Sequence, residues 1–205
     1  MRPSAIVAAL LIIVAGLLAG CGGTTRPGGP ACLAELDRHG IAFKHVAEHD
    51  ASDSRCVVDT GVRVSRLEVG LNKPVTMSCG LAAKLDQFDR EVIQPLAQSD
   101  LGRRVIRINH MGAFSCRTQR SSRRAHLSQH ATGQAIDISG FGLSDGTNVS
   151  VQQDWSNPGP NGVFLRHLAR NACRYFSVVL TPDNNADHHN HFHFDIGPGK
   201  SCSGA

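Results

Sequence analysis

Hydrophobic residues follow two different spacings along this chain, and these spacings predict helices and strands within one domain. After Ser78, a suitable N-cap, apolar side chains recur every three or four residues and predict an amphipathic helix. Pro95 is expected to kink or end this helix. Its apolar face consists of Leu81, Leu85, Phe88, Val92, Ile93 and Leu96. A second helix is predicted by the apolar face of Phe164, Leu165, Leu168, Ala172 and Cys173. A shorter helix opens at Pro30 and stops before Gly40.

Strands are predicted where apolar and polar residues alternate, or where a short apolar run lies between turn signals. These stretches are 41–46, the residues near Val57, 62–69, 105–108, 135–143, 148–151, 177–180 and 191–196. Asp145-Gly146 separates two of them and is a strong hairpin signal. Helices interspersed with hairpin-linked strands indicate an α+β domain with a central antiparallel sheet flanked by helices.

The amino terminus has the pattern of an export signal. Arg2 precedes an apolar run over 5–19 that is too short and too close to the terminus to predict a membrane span. The run ends in Leu18-Ala19-Gly20-Cys21, which resembles the bacterial lipobox. That resemblance implies a lipoprotein signal peptide over residues 1–20 and a lipid anchor on Cys21. The alternative is an ordinary secretion signal with a chance cysteine.

The residues after Cys21 predict a tether and a location in the cell. Residues 21–30 are rich in Gly and Pro and are expected to form a flexible tether, which leaves 31–205 as the folded domain. Gly22, rather than Asp, follows the cysteine, and this resembles the pattern of Gram-negative lipoproteins sent to the outer membrane. We therefore expect a cell-envelope protein that faces the periplasm.

Cysteine usage and charge narrow the classes of function. Six cysteines remain besides Cys21, and an even number in an exported domain predicts three disulfides. They are Cys32, Cys56, Cys79, Cys116, Cys173 and Cys202, and the sequence leaves their pairing open. The even count leaves no free thiol to act as a nucleophile. A net charge of +4, one Trp, one Tyr and no dense basic block argue against nucleic-acid binding.

Two histidine-bearing stretches, 128–137 and 188–195, carry the candidate chemistry. Alternate side chains of a strand share a face, so His191, His193 and Asp195 point one way while the phenylalanines between them point into the core.

The first stretch adds two further candidate ligands. Asp137 lies between two apolar residues of its strand, and His130 precedes Gly133, which lets the backbone turn tightly. His130, Asp137 and a second His supply three nitrogen and oxygen ligands, the number expected at a catalytic zinc whose fourth position holds water. The alternative is a hydrogen-bonded histidine cluster without a metal.

The same stretches carry a family resemblance. Ser128-x-His130-x-x-Gly133-x-Ala135-x-Asp137 resembles, position by position, a motif of D-alanyl-D-alanine metallopeptidases. His188-x-x-His191-x-His193 resembles a run in the penicillin-insensitive murein endopeptidase and its lysostaphin-type relatives. Over nearly all of 31–202 the chain resembles the bacterial extensin-like C-terminal family. Residues carrying this wider match are Phe114-Ser-Cys-Arg117, 127–137, Asp154-Trp155, Phe164-Leu-Arg166, Ala172-Cys173 and His191-Phe-His-Phe-Asp195.

The resemblance implies a hedgehog/DD-peptidase-like fold with Zn2+ held by His130, Asp137 and His193. It implies that His191 is the catalytic histidine, and that His188 stabilises the transition state or holds His191. An exchange of roles between His188 and its neighbour His189 stays open.

Two further residues receive roles by analogy. Arg117 is a candidate contact for an oxyanion or a carboxylate, and Ser128 is expected to hydrogen-bond behind the ligands rather than act as a nucleophile. The chain departs from D-Ala-D-Ala dipeptidases, which place a Glu before the last His ligand. Because no Glu stands there, the role falls to His191, as in the endopeptidase-like branch.

The expected function is hydrolysis of peptide bonds in peptidoglycan stem peptides or cross-links by a zinc-dependent peptidase. Peptidoglycan is the expected partner, and the membrane is reached through the lipid anchor on Cys21. One alternative is a non-catalytic, zinc-containing lipoprotein that binds the cell wall. Another is a purely structural lipoprotein that holds no zinc.

Overall fold

A mixed β-sheet with helices packed on one face organises the chain. The computed structural model describes residues 29–47, 49–50, 53–119 and 126–203, so the predicted signal peptide, Cys21 and the tether as far as Gly28 lie outside it. The helices are α1 Pro30–Arg38, α2 Cys79–Phe88, α3 Gln94–Leu96, α4 Val151–Asp154 and α5 Pro160–Ala172. Among the described residues, no helix combines the length and the apolar character needed to cross a bilayer.

Eleven strands are described, and nine of them form one sheet. They are β1 Ala42–His45, β2 His49–Asp50, β3 Asp53–Val57, β4 Gly61–Arg66, β5 Gly70–Ser78, β6 Val105–Gly112, β7 Ala135–Leu143, β8 Asn148–Ser150, β9 Val178–Leu180, β10 Phe192–Asp195 and β11 Ser201–Cys202. The sheet order is β1-β4-β5-β6-β7-β10-β9-β11, with β8 paired to β7, while β2 and β3 form a separate ribbon.

The predicted α+β class is confirmed, but the prediction of an antiparallel sheet was wrong in two places. β5 runs parallel to β6, and β9 runs parallel to β11. Parallel neighbours need a crossover connection, and the helical stretch from α2 to Leu101 supplies it between β5 and β6. The hairpin predicted at Asp145-Gly146 joins β7 to β8.

The helical stretch continues through Pro95 instead of ending there. Its N-cap is Ser78, as predicted, whose hydroxyl accepts from the Leu81 N–H at 3.3 Å. Two π-helical segments, Asp89–Ile93 and Ala97–Leu101, flank α3. The wider turn before Pro95 accommodates a residue that has no N–H and would crowd a regular α-helical turn.

Aromatic packing fixes which way the last strand faces. Phe88 of α2 lies edge-on to Phe194 of β10, with ring centroids 5.8 Å apart, and Phe176 stacks on Phe194 at 4.9 Å. Phe192 and Phe194 are fully buried. Because side chains alternate along a strand, His193 points to the opposite face of the sheet.

The six cysteines form three disulfides, as the even count predicted. The pairs are Cys32–Cys79, Cys56–Cys116 and Cys173–Cys202. They join α1 to α2, β3 to the segment that follows β6 in the sequence, and the end of α5 to β11. Each such cross-link typically contributes about 2–4 kcal/mol, largely by restricting the unfolded chain.

Candidate metal centre

Antiparallel pairing of β7 with β10 brings two of the predicted ligands side by side. In this register Asp137 lies directly opposite His193. Directly opposed residues on neighbouring strands project from the same face and lie close enough to interact. His193 Nδ1 and Asp137 Oδ1 are 3.0 Å apart. Strand alternation and register therefore place two residues 56 positions apart in one site.

A short 3-10 helix, Gln129–Thr132, delivers the third residue. Ser128 caps it by accepting the His130 N–H at 3.3 Å, and Gly133 ends it with a φ of +63°. The Cβ of any other residue at Gly133 would lie 2.8 Å from Val58 Cγ1, so the turn requires glycine. Ser128 therefore supports His130 through the backbone and not through the imidazole.

The structure brings together His130, Asp137 and His193, the three residues that the resemblance implies as ligands. His130 Nε2 lies 3.2 Å from Asp137 Oδ1 and 3.2 Å from His193 Nδ1. Tetrahedral zinc, with bonds of about 2.0–2.1 Å, places its ligand atoms about 3.3 Å apart. Three nitrogen and oxygen donors at nearly that spacing fit a zinc ion bound by three side chains.

Hydrogen bonds behind the site select the nitrogens that face it. His130 Nδ1–H donates to the Ala113 carbonyl at 2.6 Å, which leaves Nε2 as the free nitrogen. His193 Nε2–H donates to Asp195 Oδ2 at 3.2 Å, so Nδ1 is the nitrogen that remains for the site. Both remaining nitrogens point at Asp137. Metal-binding histidines characteristically have this arrangement.

Asp137 is held as a carboxylate. Burial acts to raise its pKa, but hydrogen bonds from His130 and His193 outweigh that effect and hold the pKa far below its ordinary value. Burial acts to lower the pKa of His193, and its bonds to Asp137 and Asp195 raise it to about 9. Asp137 therefore supplies an ionised oxygen between the two histidines, where a cation could take the place of the proton that His193 holds.

His191 lies just before β10 and turns one nitrogen toward the site. Its Nε2 is 3.6 Å from Asp137 Oδ1, and its Nδ1–H donates to Asn190 Oδ1 at 2.8 Å. Burial and the neighbouring His193, His130 and Arg117 lower its pKa, while Asp137 acts in the opposite direction. His191 is thus a neutral imidazole with a free nitrogen facing the three clustered side chains.

His188 and His189 are neighbours in the sequence but differ in their distance from the site. The His188 ring lies 5.2 Å from that of His191, and its Nδ1–H donates to Asn185 Oδ1 at 2.8 Å. Burial, followed by the two nearby histidines, lowers the His188 pKa. His189 is exposed and donates to the Ala186 carbonyl. The structure therefore places His188 at the site and leaves His189 outside it.

Arg117 lies at the border of the site, on the segment that follows β6 in the sequence. Its Nη2 is 3.5 Å from Asp137 Oδ2, and half of the side chain is exposed. The Cys56–Cys116 disulfide holds the preceding residue, and the Ser128 N–H donates to the Arg117 carbonyl at 3.1 Å. A fixed backbone with an accessible guanidinium suits contact with an anionic group.

Sequence reasoning gave no role to several groups that organise the site. They are the Ala113 carbonyl, Asn185, Asn190 and Asp195. Asp195 had a usable signal, since it lies two positions after His193 on the same strand face. The Ala113 carbonyl had none, because a backbone acceptor leaves no trace in a side-chain pattern. A second potential ligand group, Asp53 with Cys56 and Cys116, is unsuitable since its sulfurs form a disulfide.

Comparison with known proteins gives one match. A family model described as Extensin-like protein C-terminus matches residues 30–203. No curated protein and no solved structure gives a significant match. None of these comparisons shows a likeness to zinc metallopeptidases.

Proposed function

The chain belongs to the extensin-like protein C-terminus family, and we propose that this member is a zinc-dependent peptidase acting on the peptides of peptidoglycan. The observation that carries the proposal is the convergence of three ligand atoms, 3.0–3.2 Å apart, with the free Nε2 of His191 beside them. A structural zinc would favour four protein ligands and would not need an adjacent neutral histidine.

Bound zinc would supply a Lewis acid that lowers the pKa of a coordinated water to about 7 and polarises a carbonyl. His130 and His193 would hold it through Nε2 and Nδ1, and Asp137 through its carboxylate. The protein contributes their orientation, since Ala113 and Asp195 fix both rings.

His191 is the proposed general base. Its Nδ1–H is bonded to Asn190, so Nε2 is the nitrogen that accepts the proton of the attacking water. The same nitrogen then gives the proton to the leaving amine as the peptide bond breaks. A lowered pKa keeps His191 unprotonated before this step.

His188 and Arg117 flank the site on two sides. His188 lies against His191, where it either holds that ring or stabilises the charge of the tetrahedral transition state. A guanidinium has five N–H donors, so the Arg117 contact with Asp137 leaves donors for a substrate oxyanion or carboxylate. Peptidoglycan stem peptides carry such carboxylates.

The proposed location follows from the amino terminus. A lipid anchor on Cys21 would tether the domain in the cell envelope, at the outer membrane facing the periplasm. Peptidoglycan is the peptide polymer within reach there. Cys21 itself lies outside the described residues.

The test uses the oxidised full-length protein, its zinc content and purified muropeptides. Cross-linked and linear muropeptides are incubated with wild type, His191→Ala and His189→Ala, and the products are identified by mass spectrometry. We expect cleavage by wild type and by His189→Ala, whose exposed side chain lies outside the site. We expect His191→Ala to lose about 100-fold or more in rate while still binding zinc.

The other outcomes separate the alternatives. Zinc and peptidoglycan binding without any product would identify a wall-binding module and overturn the peptidase proposal. Absence of zinc binding would overturn the assignment of His130, Asp137 and His193 as ligands.

A further inference from the structure

The buried carboxylate of Asp195 lies next to His193, and each of its two oxygens accepts a hydrogen bond. Asp195 is 4% exposed and follows His193 by two positions on β10. Its Oδ2 accepts from His193 Nε2 at 3.2 Å, and its Oδ1 accepts from the Gly197 N–H at 3.0 Å. A buried carboxylate is tolerable only when it is paired and hydrogen-bonded, and this one is held on both sides.

The orientation of the carboxylate determines which nitrogen of His193 faces Asp137. An imidazole can carry its proton on either nitrogen, and only the unprotonated nitrogen can bind a metal. Asp195 accepts from Nε2–H, so Nδ1, the atom 3.0 Å from Asp137 Oδ1, is the nitrogen that would lose its proton when a metal binds. The opposite tautomer would place an N–H where a ligand atom is needed.

The two histidines of the centre are oriented by different kinds of acceptor. His130 donates to the backbone carbonyl of Ala113, whereas His193 donates to the side-chain carboxylate of Asp195. A carboxylate acceptor makes the imidazole a stronger electron donor than a carbonyl does. The two nitrogen ligands are therefore inequivalent.

We propose that Asp195 is a positioning residue that fixes His193 with Nδ1 toward the metal and strengthens that nitrogen as a ligand. This inference rests on the proposed zinc centre but concerns a separate residue. Asp195 contacts neither substrate nor metal and acts only through the imidazole. Its removal should alter metal affinity directly, and not only as a consequence of lost stability.

The experiment compares zinc affinity in the oxidised full-length protein, measured by competition with a chromophoric chelator. Asp195→Ala removes the acceptor and should weaken zinc binding about 10–100-fold. Asp195→Asn keeps a carbonyl oxygen that can accept from Nε2–H, so its loss should be smaller than that of Asp195→Ala. The matched control is Asp100→Ala, which breaks a similar Asp–His pair, 2.8 Å long, at the remote His167.

Nuclear magnetic resonance of the zinc-loaded protein supplies a second readout. Long-range proton–nitrogen correlations should show a protonated Nε2 and a metal-bound Nδ1 for His193 in wild type. Asp195→Ala should show a changed or mixed tautomer, and Asp100→Ala should match wild type at His193.

The outcomes are distinguishable. A folded Asp195→Ala protein that binds zinc within about twofold of wild type would overturn the inference. If thermal melting shows that Asp195→Ala does not fold, Asp195→Asn decides: weaker binding supports the inference and unchanged binding overturns it. A wild type that binds no zinc would overturn the proposed centre, and this inference with it. Loss of zinc affinity in Asp195→Ala alone would leave the peptidase proposal untouched.

Discussion

Trp155 packs edge-on against Phe192, with ring centroids 5.5 Å apart, directly behind the strand that carries His193. The indole Nε1–H donates to Asp183 Oδ1 at 2.8 Å, which fixes the ring. This Asp154-Trp155 motif, part of the wider family match, therefore supports the site from the core side and does not line it.

Removing Phe192 should lower the stability of the fold. Phe192 lies between His191 and His193 in the sequence, and its side chain is fully buried in the core. Phe192→Ala should lower the free energy of unfolding by about 3–5 kcal/mol. Urea unfolding with intact disulfides measures this. The control is Ile106→Ala, at a side chain that is 51% exposed, where a change within about 0.5 kcal/mol is expected. Equal effects of the two substitutions would contradict the packing described.

Gly133→Ala should destabilise the turn that delivers His130. Its φ of +63° disfavours any side chain, and the new Cβ would lie 2.8 Å from Val58 Cγ1 and 3.0 Å from the Ser78 nitrogen. Gly146→Ala is a matched control, because φ is +85° there but the space around the Cβ is open. Backbone strain alone should cost about 1–3 kcal/mol at Gly146. Gly133→Ala should cost more than this control by thermal melting, and should weaken zinc binding.

Asp89 should make stability fall as the pH rises from about 4 to 7. The side chain is fully buried, and burial raises its pKa to about 7 against the opposing hydrogen bond from Gln94. A raised carboxyl pKa means that the folded state holds a proton that the unfolded state releases near its ordinary value of 3.8. The protonated Asp89 therefore contributes its full stabilisation when the pH is below 3.8, and this stabilisation is lost by about pH 7. The loss amounts to a decrease on the order of 3–4 kcal/mol in the free energy of unfolding.

Asp89→Asn isolates this effect because it cannot release a proton. The variant should match wild type near pH 4 and become progressively more stable than wild type toward pH 7 in urea unfolding. Asp59→Asn, at an exposed position, makes the same charge change without burial. Parallel curves for wild type and Asp89→Asn would rule out a buried titrating group.

Two disulfides should differ in what their removal does to the centre. Replacing both Cys56 and Cys116 by Ser frees the segment that carries the Ala113 carbonyl and Arg117, so zinc affinity should fall along with stability. Replacing Cys173 and Cys202 should cost about 2–5 kcal/mol of stability and leave zinc affinity unchanged. Chelator competition and urea unfolding on both variants measure this contrast. Similar zinc affinities in the two variants would show that the first disulfide does not organise the site.

Local patterns in the sequence predicted α1, α2 and α5 but not α4, and they predicted the sheet in part. Ser78, Pro30 and Gly40 mark helix ends through capping chemistry that acts within a few residues. β5 was missed, because Asn72, Lys73 and Pro74 are exposed and give no alternating pattern. Ile106, an apolar residue of the strand predicted over 105–108, is half exposed, since only one face of β6 meets the core. The parallel pairs depend on chain crossovers, which no local pattern encodes.

The candidate site was predicted more fully than the sheet. Alternation along β10 was sufficient to separate His193 from Phe192 and Phe194, and the structure agrees. The choice of His188 over His189 rested on the resemblance, because the short 3-10 helix Ala186–His188 follows no two-residue period. The disulfide pairs and the Ala113 carbonyl depend on contacts between distant segments, and these become visible only in the fold.

The pairing of Asp137 with His193 spans 56 residues and forms only when β10 joins β7. An unfolded chain contains every ligand residue of the centre, yet it holds none of them together. The short helix carrying His130 depends in turn on the segment closed by the Cys56–Cys116 disulfide. We therefore expect the three side chains to come together only after β10 has joined the sheet, and oxidation of that cysteine pair to favour their assembly.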